Sequence, residues 1–165
     1  MEIRKATEAD IPAVTAIYDA LLDREEQGLL TTGWPRGVYP TEQTARDSLA
    51  AGTLYVLEDG GVKAECVVTD EGGGILELKN LAVEPEAQRK GYGKALIDFL
   101  VRKYKGRYSV LQVGTGNSPL TIPFYEKCGF VCSHRIPNFF TDHYDHPIYE
   151  AGVQLVDMVY LQKPL

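Results

Sequence analysis

Hydrophobic side chains recur every three to four residues in the first part of the chain, which is typical of amphipathic helices. Residues 1–6 alternate between polar and apolar and predict a strand before the first helix. Thr7 is expected to cap that helix, which should end near Glu25. A second, shorter helix is predicted to follow Thr41 and to stop before Gly52. The apolar side of the first helix is formed by Ile11, Val14, Tyr18, Leu21 and Leu22.

From residue 53 onwards, short runs of β-branched and apolar residues are separated by glycine-rich turns. The runs 53–58 and 62–70 flank an Asp-Gly-Gly turn, a pattern typical of a β-hairpin. The earlier segment 29–40 is rich in Gly and Pro and is expected to form a loop or a broken helix. Further strands are predicted at 75–85, 108–116, 130–134 and 153–161, and further helices at 90–104 and 119–128.

The predicted elements follow the order β-α-α-β-β-β-α-β-α-β-β. Such an order is typical of an α/β protein with a mixed sheet and helices on both faces. The strand-helix-strand unit spanning 75–113 should be a crossover connection, so its two strands are expected to be parallel. With 165 residues, of which 44% are hydrophobic, the chain has the size and composition of one domain spanning residues 1–165.

The charge of the chain is unevenly distributed. Its formal net charge is -6, yet residues 88–107 carry seven Lys and Arg against Asp98 alone, which is +6 locally and leaves -12 for the rest. The overall acidity excludes a general nucleic-acid-binding protein, which needs a broad basic face. A compact basic segment favours a small polyanionic ligand, although its second half would also suit a solvated helix face.

The N-terminal residues mix charges of both signs and lack the apolar core of a signal peptide, and no later run is long and apolar enough to span a membrane. We therefore expect a cytoplasmic protein with no membrane partner. The three cysteines, Cys66, Cys128 and Cys132, are expected to be reduced thiols. Because no second Cys or His pair stands at zinc-site spacing, we expect Cys128 and Cys132 to be small buried residues and not metal ligands.

The segment 88–94 combines glycines with positive charge where a predicted strand leads into a predicted helix. The main-chain N–H groups of such a turn lie at the positive end of the helix dipole, and glycine lets an anion approach them closely. Arg89, Lys90 and Lys94 add charge around the same point. The arrangement predicts a phosphate-binding turn.

The spacing of the glycines excludes two common nucleotide-binding motifs. The dinucleotide fingerprint would need a third glycine where the chain has Leu96. A P-loop would need glycine and Ser or Thr where the chain has Gln88 and Ala95. The pattern that is present is Gln-x-x-Gly-x-Gly, formed by Gln88, Gly91 and Gly93.

In its setting, this pattern resembles the acetyl-CoA signature of the GNAT superfamily of N-acetyltransferases. The likeness runs through strand, turn and helix over the stretch ELKNLAVEPEAQRKGYGKALIDFL, and FYEKCGF at 124–130 resembles the family's later Tyr-x-x-x-Gly-Phe element. The order of elements agrees over almost the whole chain, and the likeness is weakest at 26–52. The stretch 77–161 is similar to a bacterial subgroup of poorly defined substrate. The resemblance implies the GNAT fold and an acetyl-CoA-dependent N-acetyltransferase.

The resemblance also implies how acetyl-CoA would be bound, with no metal. The turn should wrap the CoA pyrophosphate through its N–H groups, and the end of the preceding strand should pair its main chain with the pantetheine arm like an added strand. Asn117 is a candidate side-chain contact to pantetheine. The strand residues concerned are Leu81, Ala82 and Val83, and the turn residues are Gln88, Arg89, Lys90, Gly91, Tyr92, Gly93 and Lys94.

Acetyl transfer to an amine needs a neutral nucleophile, donors for the oxyanion and a proton for the leaving thiolate. A lysine-like amine with a pKa of about 10.4 is only about 0.04% neutral at pH 7, so its deprotonation is worth roughly 4 to 5 kcal/mol. Glu77 lies eleven residues before Gln88, as the glutamate base does in histone-acetylating members of the superfamily, and is the candidate base. An ordered water chain could serve as the base instead. Glu77 itself could alternatively face solvent on a half-exposed strand.

Tyr125 matches the tyrosine that protonates the CoA thiolate in many members of the superfamily. With reference pKa values near 10 for Tyr and about 8.5 for a thiol, that transfer is uphill by roughly 2 kcal/mol, so Tyr125 either has a lowered pKa or only hydrogen-bonds the sulfur. Pro123 is expected to delay or kink the helix that carries Tyr125. A main-chain N–H near Val83 should hold the oxyanion.

The acceptor is predicted only as a class, a cationic amine that is either a small molecule or a protein N-terminus or lysine. Trp34 and Tyr39 in the segment 29–40 are candidate acceptor contacts, with packing in the core as the alternative. The first helix, on the acceptor side in the resembled fold, is enriched in negative charge by Asp19, Asp23, Glu25 and Glu26.

The long connection 137–152 has no assigned role. His143 and His146 are expected to pack within it, or to wall the acceptor pocket, and not to bind a metal. Its aromatic residues would suit either a homodimer interface or a cap on the protein's own sheet. The alternative function is a non-catalytic acyl-CoA-binding sensor that keeps the cofactor slot without the chemistry.

Overall fold

The computed structural model describes residues 1–28, 34 and 36–165. Half of the predicted loop at 29–40 therefore lies outside the described residues. The helices are α1 (Ile11–Glu26), α2 (Glu42–Ala50), α3 (Tyr92–Tyr104), α4 (Thr121–Lys127) and α5 (Phe139–His143). The strands are β1 (Glu2–Lys5), β2 (Leu54–Glu58), β3 (Val62–Gly72), β4 (Ile75–Val83), β5 (Val110–Gly116), β6 (Val131–Ile136), β7 (Tyr149–Glu150), β8 (Val153–Gln154) and β9 (Met158–Pro164).

Seven strands form a mixed sheet in the order β1-β2-β3-β4-β5-β9-β6, and β7 pairs separately with β8. The strands β4 and β5 are parallel, with Ile75 opposite Val110 and Leu78 opposite Val113. This pairing confirms the crossover predicted from the strand-helix-strand pattern. The neighbouring pairs β5–β9 and β6–β9 are antiparallel. The α/β class with a mixed sheet is confirmed.

The chain packs as two compact units. One contains Met1–Thr69 and Lys79–Lys103, and the other contains Asp70–Leu78 and Tyr104–Leu165. Strand β4 contributes its first four residues to the second unit and the remainder to the first. The single domain expected from the length of the chain stays a prediction.

In the first unit, helices cover both faces of β2. Leu54 and Val56 lie in one buried cluster with Ile17 of α1. Because side chains alternate along a strand, Tyr55 points to the opposite face, where its ring contacts Phe99 of α3 with 5.4 Å between centroids. The apolar stripe predicted for the first helix is buried against this sheet.

Polar side chains lie at the starts of the first two helices, but the residue directly before α1 is Asp10 and not the predicted Thr7. A 3₁₀ turn (Glu8–Asp10) precedes α1, and Asp10 accepts a hydrogen bond of 2.7 Å from the main-chain N–H of Thr7. The guanidinium of Arg4 donates to the same carboxylate at 2.7 Å and holds the pKa of Asp10 below its usual range. Thr41 caps α2 by accepting from the N–H of Thr44 at 3.4 Å.

In the second unit, glycines in β5 permit close packing by its neighbours. A Cβ at Gly114 would lie 2.9 Å from the ring of Tyr160, and one at Gly116 would lie 3.0 Å from Leu155. The first distance is shorter than real Cβ contacts, and the second would require Leu155 to shift by a few tenths of an ångström, so a larger residue at either position would disturb this packing.

The closing strand predicted at 153–161 is wrong in its bounds. The chain forms the short β8 there, and β9 begins only at Met158 and runs to Pro164. The side chain of Asn117 accepts hydrogen bonds from the N–H groups of Val156 (2.7 Å) and Asp157 (3.2 Å), and these N–H groups are thereby withdrawn from strand pairing. Helix α5 and strand β7 also occupy part of the connection predicted to be irregular.

Smaller differences concern strand and helix ends. Strand β3 continues to Gly72, into the predicted turn. Helix α4 begins at Thr121, two residues later than predicted, which places Pro123 in its first turn where the missing N–H costs little. Cys132 was expected to be buried but is exposed on β6, whereas Cys66 and Cys128 are buried, and all three are free thiols.

Candidate active site

The turn that leads from β4 to α3 has the backbone of an anion-binding site. Arg89 and Gly91 both adopt left-handed conformations, with φ of 63° and 85°. Helix α3 starts directly after them, at Tyr92, so the N–H groups of its first turn have no partner within the helix. Gly93 is buried inside this turn. A negatively charged group would find these N–H donors and the helix dipole together.

The cations of the turn differ in their freedom. Lys94 forms an ion pair of 2.8 Å with Asp98 one helical turn later. Arg89 and Lys90 are exposed, and within the described part of the chain neither forms an ion pair. They are free to approach a phosphate. Tyr92 is tied down differently, since its hydroxyl donates to Asp59 at 2.6 Å, leaving its main chain to face a ligand.

Gln88 connects the turn to the end of β4. Its Nε2 donates to the main-chain oxygen of Val83 at 3.3 Å. Leu81 and Val83 are half-buried and Ala82 is buried. The predicted cofactor strand and the predicted phosphate turn are thus joined by a hydrogen bond from the glutamine of the motif.

Glu77 lies inside the second unit, and its side chain does not face solvent. The residue is 5% exposed, and its carboxylate accepts a hydrogen bond of 2.7 Å from Nε2 of Gln112 on β5. Gln112 in turn accepts from Nε2 of Gln162 on β9 at 2.8 Å. Side chains from three strands thus hold the Glu77 carboxylate in a fixed position. The alternative in which Glu77 faces solvent is wrong.

Tyr125 is 9% exposed on α4. Its ring packs edge-on against Phe124 and Phe130, with centroids 5.1 and 5.5 Å away. Its main-chain oxygen accepts hydrogen bonds from the N–H groups of Cys128 and Phe130, both at 3.0 Å. The FYEKCGF stretch is therefore a compact local unit that orients the Tyr125 ring.

Asn117 is engaged with the protein's own main chain. In addition to the two hydrogen bonds that its Oδ1 accepts, its Nδ2 donates to the main-chain oxygen of Gln154 at 3.2 Å. The side chain therefore anchors the end of β5 to the segment 154–157. Its contact with pantetheine remains a prediction, and these bonds compete with it.

Trp34 and Tyr39, the predicted acceptor contacts, lie together in the first unit. The Trp34 ring meets the rings of Tyr18 and Tyr39 edge-on, with centroids 6.5 and 6.3 Å away. The Tyr39 hydroxyl accepts a hydrogen bond of 3.0 Å from Nδ2 of Asn80 on β4. Burial raises the pKa of Tyr39 above its ordinary value.

Sequence reasoning missed Glu65, which is completely buried on β3 beside these aromatic rings. Burial raises the pKa of Glu65 from 4.5 to about 8, and the nearby Tyr18 hydroxyl and Ala82 main chain offset this only in part. A signal was present, since this glutamate interrupts the otherwise apolar run 64–68. A glutamate in that position has its carboxyl group buried along with the apolar side chains around it, which is unfavourable for its charged form.

The predicted negative charge of the first helix is partly neutralised. Arg36 forms ion pairs with Asp23 (2.7 Å) and Glu26 (2.5 Å). The exposed acidic residues of α1 therefore provide a weaker argument for a cationic acceptor than the sequence suggested.

The histidines of the connection 137–152 contact their neighbours. The His143 ring stacks on Phe139 at 4.4 Å between centroids, and Nδ1 of His146 lies 2.6 Å from the carboxylate of Asp145. His146 also lines a cavity of about 220 Å³ together with Tyr144 and Leu155. Among the residues that the structure describes, no group of three or more His, Cys, Asp or Glu side chains is placed to hold a metal ion.

Within the same described residues, no helix has both the length and the apolar character needed to cross a membrane.

Comparison with known proteins gives a family. The model for "Acetyltransferase (GNAT) domain" matches residues 50–132, which is half of the chain. The uncharacterized N-acetyltransferase YvbK of Bacillus subtilis is 40% identical over 88 residues, covering 52% of this chain. The match spans only 57% of the length of that relative.

Solved acetyltransferase structures resemble this chain over nearly its full length. A GNAT family acetyltransferase from Elizabethkingia anophelis, with acetyl-CoA bound, is 30% identical, with a TM-score of 0.74 over 99% of this chain and 97% of the other. A Bacillus subtilis acetyltransferase in complex with CoA is 29% identical, with a TM-score of 0.73 and the same coverage. The matched residues 50–132 contain both β4 and the Gln-x-x-Gly-x-Gly turn, so the chain belongs to the GNAT family of acetyltransferases.

Proposed function

We propose that this chain transfers the acetyl group of acetyl-CoA directly to an amine, in a ternary complex of both substrates. The observation that carries the proposal is the turn at 88–94, with two left-handed residues, first-turn N–H groups that have no partner within the helix, and the exposed cations Arg89 and Lys90 at the start of α3. The bound acetyl-CoA and CoA of the Elizabethkingia and Bacillus relatives support the same ligand.

The predicted cofactor contacts follow from this ligand. The pyrophosphate carries two negative charges close together, which suits the N–H donors of the turn and the side chains of Arg89 and Lys90. The peptide-like amides of pantetheine suit the main chain of the segment 81–83. No covalent link to the enzyme is needed, because an amine attacks a thioester directly.

The chemical roles are assigned to two buried side chains. Tyr125 is proposed to donate a hydrogen bond or proton to the departing sulfur, and Glu77, or a water chain ordered by it, is the predicted route for the proton of the amine. The acceptor amine is proposed to meet the aromatic rings of Trp34 and Tyr39, since aromatic faces attract cations.

The proposal is tested by incubating the purified protein with acetyl-CoA and a panel of primary amines and measuring free thiol. Amine-dependent release of thiol, with one acetyl group added to the amine, is expected. Thiol release that does not depend on amine would contradict direct transfer. Tight CoA binding by calorimetry without turnover on any amine would favour the acyl-CoA sensor, and absence of CoA binding would remove both functions.

A further inference from the structure

The buried carboxyl group of Glu65 lacks the partners that buried charges normally have. Within the described part of the chain, neither of its oxygens has a hydrogen bond of good geometry, and the same holds for the Tyr18 hydroxyl and Asn80 Oδ1, which are also buried. The Tyr18 hydroxyl and the main-chain N–H of Ala82 are the donors nearest to the carboxyl group. A buried donor or acceptor that is left unsatisfied destabilises the folded protein. Several of them in one place indicate a site that is completed by something other than the protein.

These groups belong to one cluster inside the first unit. We call it the Glu65 cluster, and it contains Tyr18 of α1, Tyr39, Glu65 of β3 and Asn80 of β4. Burial raises the pKa values of Tyr18 and Tyr39, and both lie close enough to Glu65 for its charge to raise them further. Asn80 is joined to Tyr39 by the hydrogen bond of 3.0 Å between its Nδ2 and the phenol oxygen. Three separate elements therefore place their polar atoms around one point.

The cluster is rich in acceptors and poor in donors. Asn80 uses its Nδ2 on Tyr39, so its unpaired atom is the carbonyl oxygen Oδ1. The Glu65 carboxylate provides two further acceptor oxygens. A primary ammonium group, with three N–H donors and a positive charge, complements such a set. The aromatic rings of Trp34 and Tyr39, which are only half-buried, form its least enclosed side.

The cluster also adjoins the strand proposed to hold the cofactor. The main-chain N–H of Ala82 lies close enough to the Glu65 carboxyl group to lower its pKa, and the Tyr39 hydroxyl lies 3.4 Å from the main-chain oxygen of Lys79. Ala82 is the middle residue of the segment 81–83, to which the pantetheine contact was assigned. An amine in the Glu65 cluster would therefore lie beside the arm that carries the acetyl group.

We propose that the Glu65 cluster is the subsite for the amino group of the acceptor, and that the carboxylate of Glu65, in place of Glu77, takes up the proton which the amine must lose. This inference rests on the proposed function. A proton first moves from R–NH₃⁺ to Glu65, leaving a neutral amine and a carboxylic acid. The nitrogen then forms its bond to the acetyl carbonyl carbon while the C–S bond breaks and its electron pair leaves on sulfur. The second proton lost by nitrogen converts the thiolate to the thiol, and Glu65 returns its proton to solvent.

The ionisation of Glu65 suits this role. With a pKa of about 8, raised by burial, the carboxylate is a stronger base than an exposed glutamate and is still partly ionised at neutral pH. The titratable groups around it on the packed elements are Tyr18 of α1, Tyr39, Cys66 of β3 and Lys79 of β4. Burial raises the pKa values of the first three, so they stay neutral in this range and leave Glu65 as the titrating member.

The test compares wild type with Glu65→Gln, which keeps the size of the side chain but accepts no proton. At neutral pH, kcat/KM for a strongly basic amine is expected to fall about 10²-fold or more, with CoA affinity unchanged by calorimetry. Wild-type kcat/KM should rise with pH through about 8, whereas that of the variant should rise only as the free amine itself becomes neutral. The matched control is Glu58→Gln on β2, where the side chain is partly exposed, and this variant should retain wild-type kinetics.

A second acceptor sharpens the result. One such acceptor is a weakly basic amine, for example a fluorinated alkylamine that is already neutral at pH 7. With it, the loss of kcat/KM caused by Glu65→Gln should be small, because only the contacts of the carboxylate with the amine are lost. A folded Glu65→Gln protein with wild-type kcat/KM and pH profile would overturn the inference while leaving the proposed function intact. Wild type that acetylates no amine would instead overturn the proposed function. If Glu65→Gln does not fold, the pH dependence of wild-type kcat/KM decides. A rise through about pH 8 supports the inference, and the absence of such a rise overturns it.

Discussion

The raised pKa of Glu65 predicts a specific dependence of stability on pH. Its pKa in the folded protein is about 8, against an ordinary value of 4.5 in the unfolded chain. Between these two values the unfolded chain has released the proton and the folded protein still holds it. Stability attributable to Glu65 is therefore fully present below pH 4.5 and is lost as pH rises to about 8.

The magnitude follows from the two pKa values. Each pH unit within that window removes about 1.4 kcal/mol from the free energy of unfolding, so the full window from 4.5 to about 8 is worth about 5 kcal/mol. The free energy of unfolding of an ordinary protein is only about 5 to 15 kcal/mol, so this change is a large part of it.

The perturbation is again Glu65→Gln, because glutamine stays neutral at every pH. Urea unfolding curves of wild type and variant, followed by circular dichroism, give the free energy of unfolding at several pH values from about 5 to about 8. Other titrating groups act equally on both proteins, so the difference between them isolates Glu65. The difference should move in favour of the variant by about 1.4 kcal/mol per pH unit. A difference that is constant with pH would refute the burial of an ionisable Glu65 carboxyl.

Three further changes address the cofactor turn and the chemistry. Gly91→Ala places a side chain at φ of 85°, where its Cβ meets no atom within 4 Å, so the cost is backbone strain of about 1 to 2 kcal/mol, seen as a lower Tm and weaker CoA binding by calorimetry. Lys90→Ala should weaken CoA binding at low salt and progressively less at high salt, with kcat nearly unchanged in the thiol-release assay. Tyr125→Phe should lower kcat about 10²-fold or more with CoA affinity retained, and an unchanged kcat would remove its assigned role.

The conformation of the turn at 88–94 was predictable because its structure is local. Gln88, Gly91 and Gly93 stand close together in sequence, and the left-handed conformation of Gly91 and the start of α3 follow from the same few residues. The parallel pairing of β4 with β5 was also readable, since a strand-helix-strand segment of this length nearly always forms a right-handed parallel crossover.

Other features depend on residues that are far apart in sequence. The bounds of the last strand were wrong because Asn117 binds the N–H groups of Val156 and Asp157, a contact that no local pattern contains. Glu65 was missed because the side chains and main chain that surround it come from α1, β4 and the segment before α2. The Glu77 carboxylate was identified from spacing, but its burial and its link to Gln112 required the register of the parallel strands.

The measurement that tests the central claim most directly is the amine-dependent release of free CoA thiol from acetyl-CoA by the purified wild-type protein, with mass analysis of the amine product. The account predicts one equivalent of acetylated amine for each thiol released, at a rate that saturates in both substrates. Tight CoA binding with no thiol released for any primary amine, across neutral and alkaline pH, would contradict it.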